Sequence, residues 1–226
     1  MAVNYIGIAL VLNCGSSSVK YQVVDTTVDE PLASGLIERV TDFGEAIQRV
    51  IAALEEPGSG VDLKRLTVVG HRVVQGGAEF VAPTIIDNDV ERGIALLGTL
   101  APLHTPPNLA GITAARAAFP HIPHVAVFDT AFHATMPEAA YTYAIDRNVA
   151  HEHGIRRYGY HGASHRFVSE TAGKYGNQRD VISCHLGGSG SICAIKDGRS
   201  QNNSFGFSLQ TGIQHGTRTG DLDPFI

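Results

Sequence analysis

Apolar and polar positions along the chain fall into short blocks whose period changes. Ile6 to Leu12 is a short, nearly continuous apolar run that reads as a buried strand, and it breaks at Asn13-Cys14-Gly15-Ser16-Ser17-Ser18. The pattern resumes from Val19 to Asp25, where Tyr21 and Val23 alternate with Lys20 and Gln22, the period of a half-buried strand. The opening therefore predicts strand, Gly/Ser turn, strand. Leu66 to Val74 and Val125 to Phe128 predict further core strands, and helices are expected over Glu45 to Glu56, Val90 to Ala101 and Leu109 to Ala118. Pro57 to Gly60 and Met136-Pro137 interrupt the pattern. Beyond them Arg166 to Tyr175 reads as a helix and Asp180 to His185 as a buried strand, with a domain boundary expected near residue 135.

One short pattern occurs twice. Gly15-Ser16-Ser17-Ser18-Val19 returns as Gly188-Ser189-Gly190-Ser191-Ile192, each time between apolar strands. Gly/Ser hairpin turns do recur by chance, so two starts of one design and coincidence both stay open at this level. If the copies are related, the second is expected to be incomplete, because little chain follows Ile192 compared with an ordinary domain.

Composition narrows the classes. With 43% hydrophobic and 17% charged residues among 226, the chain can bury an ordinary globular core. A net charge of -5 speaks against a nucleic-acid surface, so any phosphate must be held by locally placed cations and backbone amides. Cys14, Cys184 and Cys193 form no C-x-x-C pair, which suits a reducing compartment and a cytoplasmic expectation. The opening apolar run is too short to span a bilayer and lacks the flanks of a secretion signal.

Several segments carry candidate chemistry, each with a plainer reading beside it. The turn around Ser16 and Ser18, followed by Lys20, could surround phosphate oxygens although no P-loop pattern is present; it could equally only connect strands. His71-Arg72-Val73-Val74-Gln75-Gly76-Gly77 ends a strand with a cation that suits a carboxylate or phosphate, or a surface ion pair. Leu100 to Asn108, with Leu103 among its prolines, could wall a small acyl group or join two helices. Asp129, at the end of a short apolar strand, stands where α/β folds place ligand-facing groups, or caps a helix. Arg156 to His165 gathers two arginines, two tyrosines and two histidines; His161 and His165 lack the acidic residue of H-E-x-x-H, so phosphate chemistry is favoured over zinc. Gly216-Thr217-Arg218-Thr219-Gly220-Asp221 suits an arginine folding over transferring phosphate oxygens, or a salt-bridged turn.

Taken in order, these segments resemble the acetate and propionate kinase family across nearly the whole chain. The match runs through Val11 to Lys20, Gly70 to Val74, Leu100 to Asn108, Phe128 to His133, Arg156 to His165, His185-Leu186-Gly187 and Gly216 to Pro224. The resemblance implies an α/β fold of the actin, Hsp70 and sugar-kinase type, ribonuclease H-like and duplicated. Residues 1–135 would then form an acyl- and phosphate-binding domain and residues 136–226 the first part of a nucleotide-binding domain, its second fold unit truncated. The implied activity is reversible transfer of the ATP γ-phosphoryl group to acetate or propionate, with Mg²⁺ or Mn²⁺ as cofactor. No nucleic acid or membrane partner is implied, and a homodimer is expected for the full-length chain.

Residue by residue, the resemblance makes Asn13 the magnesium-associated residue, Lys20 with Ser16 and Ser18 an ATP contact, and Arg72 the substrate arginine. Val74 and Leu103 would line the acyl pocket, with Tyr160 where the family has phenylalanine. Asp129 resembles the catalytic acid and His161 and Arg218 the transition-state stabilisers. His185, Leu186, Gly187, Gly188 and Ser189 resemble the first nucleotide loop. The chain departs from the family twice. Where relatives read H-L-G-N-G-A-S it has Gly188 in place of the amide, and Ser208-Leu209-Gln210-Thr211-Gly212 replaces T-P-L-E-G. A shortened, non-catalytic binding homologue and a butyrate or pyrophosphate-dependent relative are the rival expectations.

Overall fold

A computed structural model describes residues 7–176 and 180–226. Ile6, the first residue of the expected opening strand, lies outside them. The chain divides into two compact units, one formed by residues up to Val73 with Pro83–Val127, the other by Val74–Ala82 with Phe128–Ile226.

In the first unit, β1 (Ile8–Cys14), β2 (Ser18–Asp25) and β3 (Ala33–Glu38) form an antiparallel meander. β4 (Leu66–Val73) adds to the free side of β1 in parallel. β5 (Thr84–Ile85) and β6 (His124–Phe128) complete the order β3-β2-β1-β4-β6-β5. One face is apolar: Leu10 and Leu12 of β1 with Val19 and Val23 of β2 are fully buried. It is covered by α1 (Phe43–Glu55), whose Ala46, Ile47, Val50 and Leu54 recur at helical spacing and are buried. Burying a side chain of that size stabilises by about 1.5 to 3 kcal/mol. Asp42 caps α1 by accepting from the Glu45 N–H at 3.0 Å.

Two helices of the first unit differ from the sequence expectation for local reasons. α2 (Asn88–Leu96) ends before Ala101, its last turn tightening into a 3-10 segment at Leu97–Thr99. α3 (Thr105–Ala118) begins ahead of Leu109, because Pro106 and Pro107 occupy its first turn, where a missing N–H costs nothing. Gly111 lets α3 lie against β1, since an added Cβ would stand 2.2 Å from Cys14 Sγ.

The second unit repeats the meander. β7 (Val181–Leu186), β8 (Gly190–Lys196) and β9 (Arg199–Asn203) are antiparallel in the order β7-β8-β9, so the Gly188-containing turn joins two strands as the Gly15 turn does. Two short helices, α4 (Glu138–Tyr141) and α5 (Arg147–Glu152), precede α6 (Gly162–Lys174), which packs against β7. The side of β7 and β8 that bears Ser183, Ser191 and Cys193 is buried, whereas Ile182 is 69% and Ile192 37% exposed.

Candidate functional site

Candidate residues of the first unit line up across three strands. Asn13 of β1 pairs with Lys20 of β2, and on its other side its Oδ1 accepts from the Arg72 guanidinium of β4 at 3.1 Å. Asn13 and Arg72 stand at the carboxyl ends of parallel strands, the usual place for ligand-facing groups in α/β sheets. Lys20 is exposed and Arg72 half-buried, so the row presents two cations. The turn beside it is closed by the Gly15 N–H donating to the Ser18 carbonyl at 2.8 Å, and Asn108 Nδ2 holds the Cys14 carbonyl at 2.8 Å. Ser16 is exposed in that turn and Ser18 half-buried. Leu103 is exposed ahead of α3.

A magnesium ion needs about six oxygens and commonly takes one or two carboxylates besides phosphate and water. Asn13 contributes a single amide oxygen, already engaged by a guanidinium. Among the described residues no group of three or more His, Cys, Asp or Glu side chains is placed to hold a metal. These residues alone do not make a metal site.

The other candidates lie in the second unit, where the backbone itself is shaped around His161. That residue has φ 60°, the left-handed region that a non-glycine residue adopts at a cost. The following Gly162 starts α6 and donates its N–H to the Asp129 carbonyl at 2.8 Å. A Cβ on Gly162 would stand 2.2 Å from that carbonyl oxygen, so only glycine allows the approach. Asp129 is itself buried, at the end of the strand that Phe128 closes, and neighbouring Thr130 accepts from the Gly76 N–H at 3.0 Å.

Around this junction the aromatic and imidazole rings close up. The His161 ring lies on that of His185 with centroids 4.0 Å apart and meets Phe205 edge-on at 5.3 Å; Phe205 in turn stacks on His215 at 5.1 Å. Tyr160 is fully buried, donating its hydroxyl to the Phe207 carbonyl at 2.9 Å and accepting from Gln75 Nε2 at 3.0 Å. Its extra oxygen, relative to phenylalanine, is thus satisfied inside the unit, and Val74 beside Gln75 is buried with it. Sequence reading passed over Gln75, Phe205 and His215, because each is ordinary in its local context and its partners are remote in the chain.

The His185 strand leads into the turn Gly187-Gly188-Ser189, closed by the Gly187 N–H on the Ser189 carbonyl at 3.1 Å. The Ser189 hydroxyl is buried and has no hydrogen-bond partner in the structure, an orphan that an anion oxygen would satisfy. Leu186, in the strand beside it, is exposed. The Gly216 N–H donates to the Gly188 carbonyl at 3.0 Å, which ties the Arg218 loop to this turn. The loop is closed by Asp221, whose carboxylate accepts from Gly212 N at 3.0 Å, and the Arg218 guanidinium donates to the Leu209 carbonyl. Asp129, Tyr160, His161, His185 and the Gly188 turn with Arg218 thus share one unit, while Asn13, Lys20, Arg72 and Leu103 share the other.

Burial has an electrostatic consequence. Burial lowers the pKa of His133 to about 4 and of His165 to about 4, the Asp129 carboxylate opposing the shift in both. In the first unit, burial and then the neighbouring His124 lower His71 to about 3, and burial lowers His124 as well. Such groups bind fewer protons folded than unfolded, so the stability they contribute is complete above the unfolded value near 6.5 and is lost as pH falls toward 4 and 3. We expect denaturant midpoints to drop steadily below about pH 6.5, each group costing up to about 1.4 kcal/mol per pH unit. A flat midpoint between pH 6.5 and 4 would contradict the neutral, buried state of these imidazoles.

The chain matches the acetokinase family over residues 8–44 and 39–226. It is 44% identical over 245 residues to the acetate kinase of Clostridium botulinum (strain Loch Maree / Type A3), an alignment covering 96% of this chain and 62% of that protein. It superposes with a TM-score of 0.90 on Porphyromonas gingivalis acetate kinase at 35% identity, and equally on a propionate kinase from Francisella tularensis subsp. tularensis SCHU S4 at 37%. Each superposition covers 97% of this chain and 62% of the other, so the chain spans about three fifths of the length of the relatives it matches. The duplicated α/β fold expected from the resemblance is the fold of these kinases, seen here in the repeated meander. By sequence over nearly its whole length and by fold, the chain belongs to the acetokinase family.

Proposed function

We propose that these residues serve phosphoryl transfer between ATP and a short-chain carboxylate, acetate or propionate, giving acyl phosphate and ADP reversibly. The observation that carries the proposal is the junction at His161, where a left-handed residue, an obligatory glycine and the Asp129 carbonyl fix an imidazole. That imidazole lies on His185, whose strand ends in the turn holding the orphan Ser189 hydroxyl. Strained, over-determined backbone of this kind is characteristic of functional sites.

The chemistry needs little proton management. A carboxylate with a reference pKa of about 4 is already ionised at neutral pH, so the nucleophile requires no general base. Its oxygen attacks the γ-phosphorus in line, and the bond to the bridging β–γ oxygen breaks to release ADP. Arg72 orients the carboxylate, and Lys20 with the Ser16 and Ser18 hydroxyls serves the nucleotide phosphates. His161 and Arg218 offset charge on the equatorial phosphoryl oxygens, Asp129 assisting as the acidic group of the site. Val74 and Tyr160, and in the other unit Leu103, are the residues assigned to the acyl group, and the turn from His185 to Ser189 receives phosphate. Mg²⁺ or Mn²⁺, arriving with the nucleotide, would add cationic charge at the phosphates.

The test is direct. Trapping acyl phosphate as hydroxamate, with acetate and ATP, should give product that depends on both substrates, and calorimetry should show ATP binding. Binding without turnover would favour a non-catalytic homologue instead. The turn supplies a finer check, because a Cβ on Gly188 would meet nothing within 4 Å. Gly188→Asn, restoring the family's amide, is expected to tighten ATP binding about fivefold, the worth of one modest hydrogen bond. Unchanged or weaker ATP affinity in this variant would remove the turn from the phosphate site.

A further inference from the structure

His161 commits one ring nitrogen, Nδ1, to the Ser191 hydroxyl at 2.9 Å. The same oxygen lies 2.7 Å from Nε2 of His165, whose Nδ1 is 2.9 Å from Ser183 Oγ. All four side chains are buried within the second unit. A hydroxyl carries one proton and two lone pairs, and the two imidazoles are the only partners of Ser191 Oγ among the described residues, so with its proton used Ser191 donates to one imidazole and accepts from the other. The two tautomers are therefore tied. If Ser191 donates to His161, that ring carries its proton on Nε2; His165 then donates through its own Nε2–H and accepts from Ser183 at Nδ1. In the reverse set, neutral His161 is protonated on Nδ1 and carries its lone pair on Nε2.

The role assigned to His161 favours the first set, while His165 suits either. Burial keeps His165 neutral, so it always has one donor and one acceptor nitrogen and can take its place between two serines. An anionic phosphoryl oxygen is attracted by an Nε2–H and repelled by an Nε2 lone pair. The other titratable groups around the chain are His185 against the His161 ring, His133 edge-on to His165 at 5.7 Å, and the Asp129 carboxylate acting on His165. A buried serine hydroxyl on a strand is costly unless it is used, and both Ser183 and Ser191 are used here on imidazoles.

We propose that Ser191, backed by His165 and Ser183, is a positioning residue that holds His161 with its proton on Nε2, so that the imidazole is a hydrogen-bond donor even when neutral. The inference rests on the role assigned to His161 above.

The test is the imidazole ¹H–¹⁵N spectrum of the 226-residue chain, recorded about two pH units above the reference histidine value. His161 is assigned by the signals lost in His161→Gln. The expected result is a single tautomer, pyrrole-like at Nε2 and pyridine-like at Nδ1. Ser191→Ala should collapse it toward averaged shifts, and Ser191→Thr, which keeps the hydroxyl, should restore it. Ser183→Ala should disturb His165 more than His161, and it decides the matter together with the wild-type spectrum if Ser191→Ala does not fold. In the same chain Ser191→Ala should lower kcat about tenfold to a hundredfold with KM for ATP nearly unchanged, the scale of a misoriented group. An Nδ1-protonated His161 in the wild type, or unaltered shifts in Ser191→Ala, would overturn the proposal. A fixed Nε2–H tautomer with full turnover in His161→Gln would instead sink the assigned role of His161 and leave the positioning chain standing.

Discussion

Arg218→Ala in the full chain should lower kcat by at least about a hundredfold, the scale of losing one preorganised donor to a developing anion. The guanidinium is already anchored, because it donates to the Leu209 carbonyl inside a loop closed between Gly212 and Asp221. A guanidinium has five N–H donors, so one bond of anchorage leaves others for phosphoryl oxygens. Arg218→Lys should recover little, since an ammonium cannot hold the carbonyl and offer a planar fork together. Steady-state kinetics with both substrates varied separates this from a binding defect: the loss belongs in kcat, with KM for acetate changed little. Turnover near wild type would remove Arg218 from the transition state.

Gly162→Ala should be nearly as damaging to turnover, and for a different reason. The new methyl would overlap the Asp129 carbonyl oxygen at 2.2 Å and press on Phe132 Cβ at 2.9 Å, contacts that no rotamer change relieves because one partner is backbone. The junction must open, which breaks the Gly162 N–H bond to Asp129 and releases the left-handed turn at His161. Overpacking of this kind costs about 1 to 3 kcal/mol of stability. Displacing His161 by about 1 Å is expected to cost about a hundredfold in kcat besides. Denaturant unfolding alongside kinetics gives both readings. An unchanged unfolding midpoint with unchanged activity would show that the junction is not the rigid support described here.

Much of this was legible in the chain. The run that ends in Leu12 and the alternation of Tyr21 and Val23 announced strands because a pleated, half-buried surface has period two. The repeat of Gly15–Val19 in Gly188–Ile192 left a second hairpin and coincidence both open, and both hairpins formed where the glycines and serines stand. Helix starts were less legible: the prolines ahead of Leu109 read as a break, although a first helical turn accepts them. The segment from Arg156 to His165 stood out by its density of cations and rings, and His161 lies in it at a left-handed, non-glycine backbone position.

Local pattern determined the longer elements and the residue types available for anion chemistry, and the order of the motifs carried the family resemblance, because periodicity, turn chemistry and motif order are written in neighbouring residues. Tertiary structure alone decided which of those residues meet. Asn13 reaches Arg72 only because β1 and β4 run in parallel. Ser191 stands between His161 and His165 only because α6 packs on β7 and β8 pairs with β7. Ser189 is an orphan only because the turn around it is closed. Hydrogen bonds and burial depend on distance in space, and distance in space is what neighbouring residues do not record.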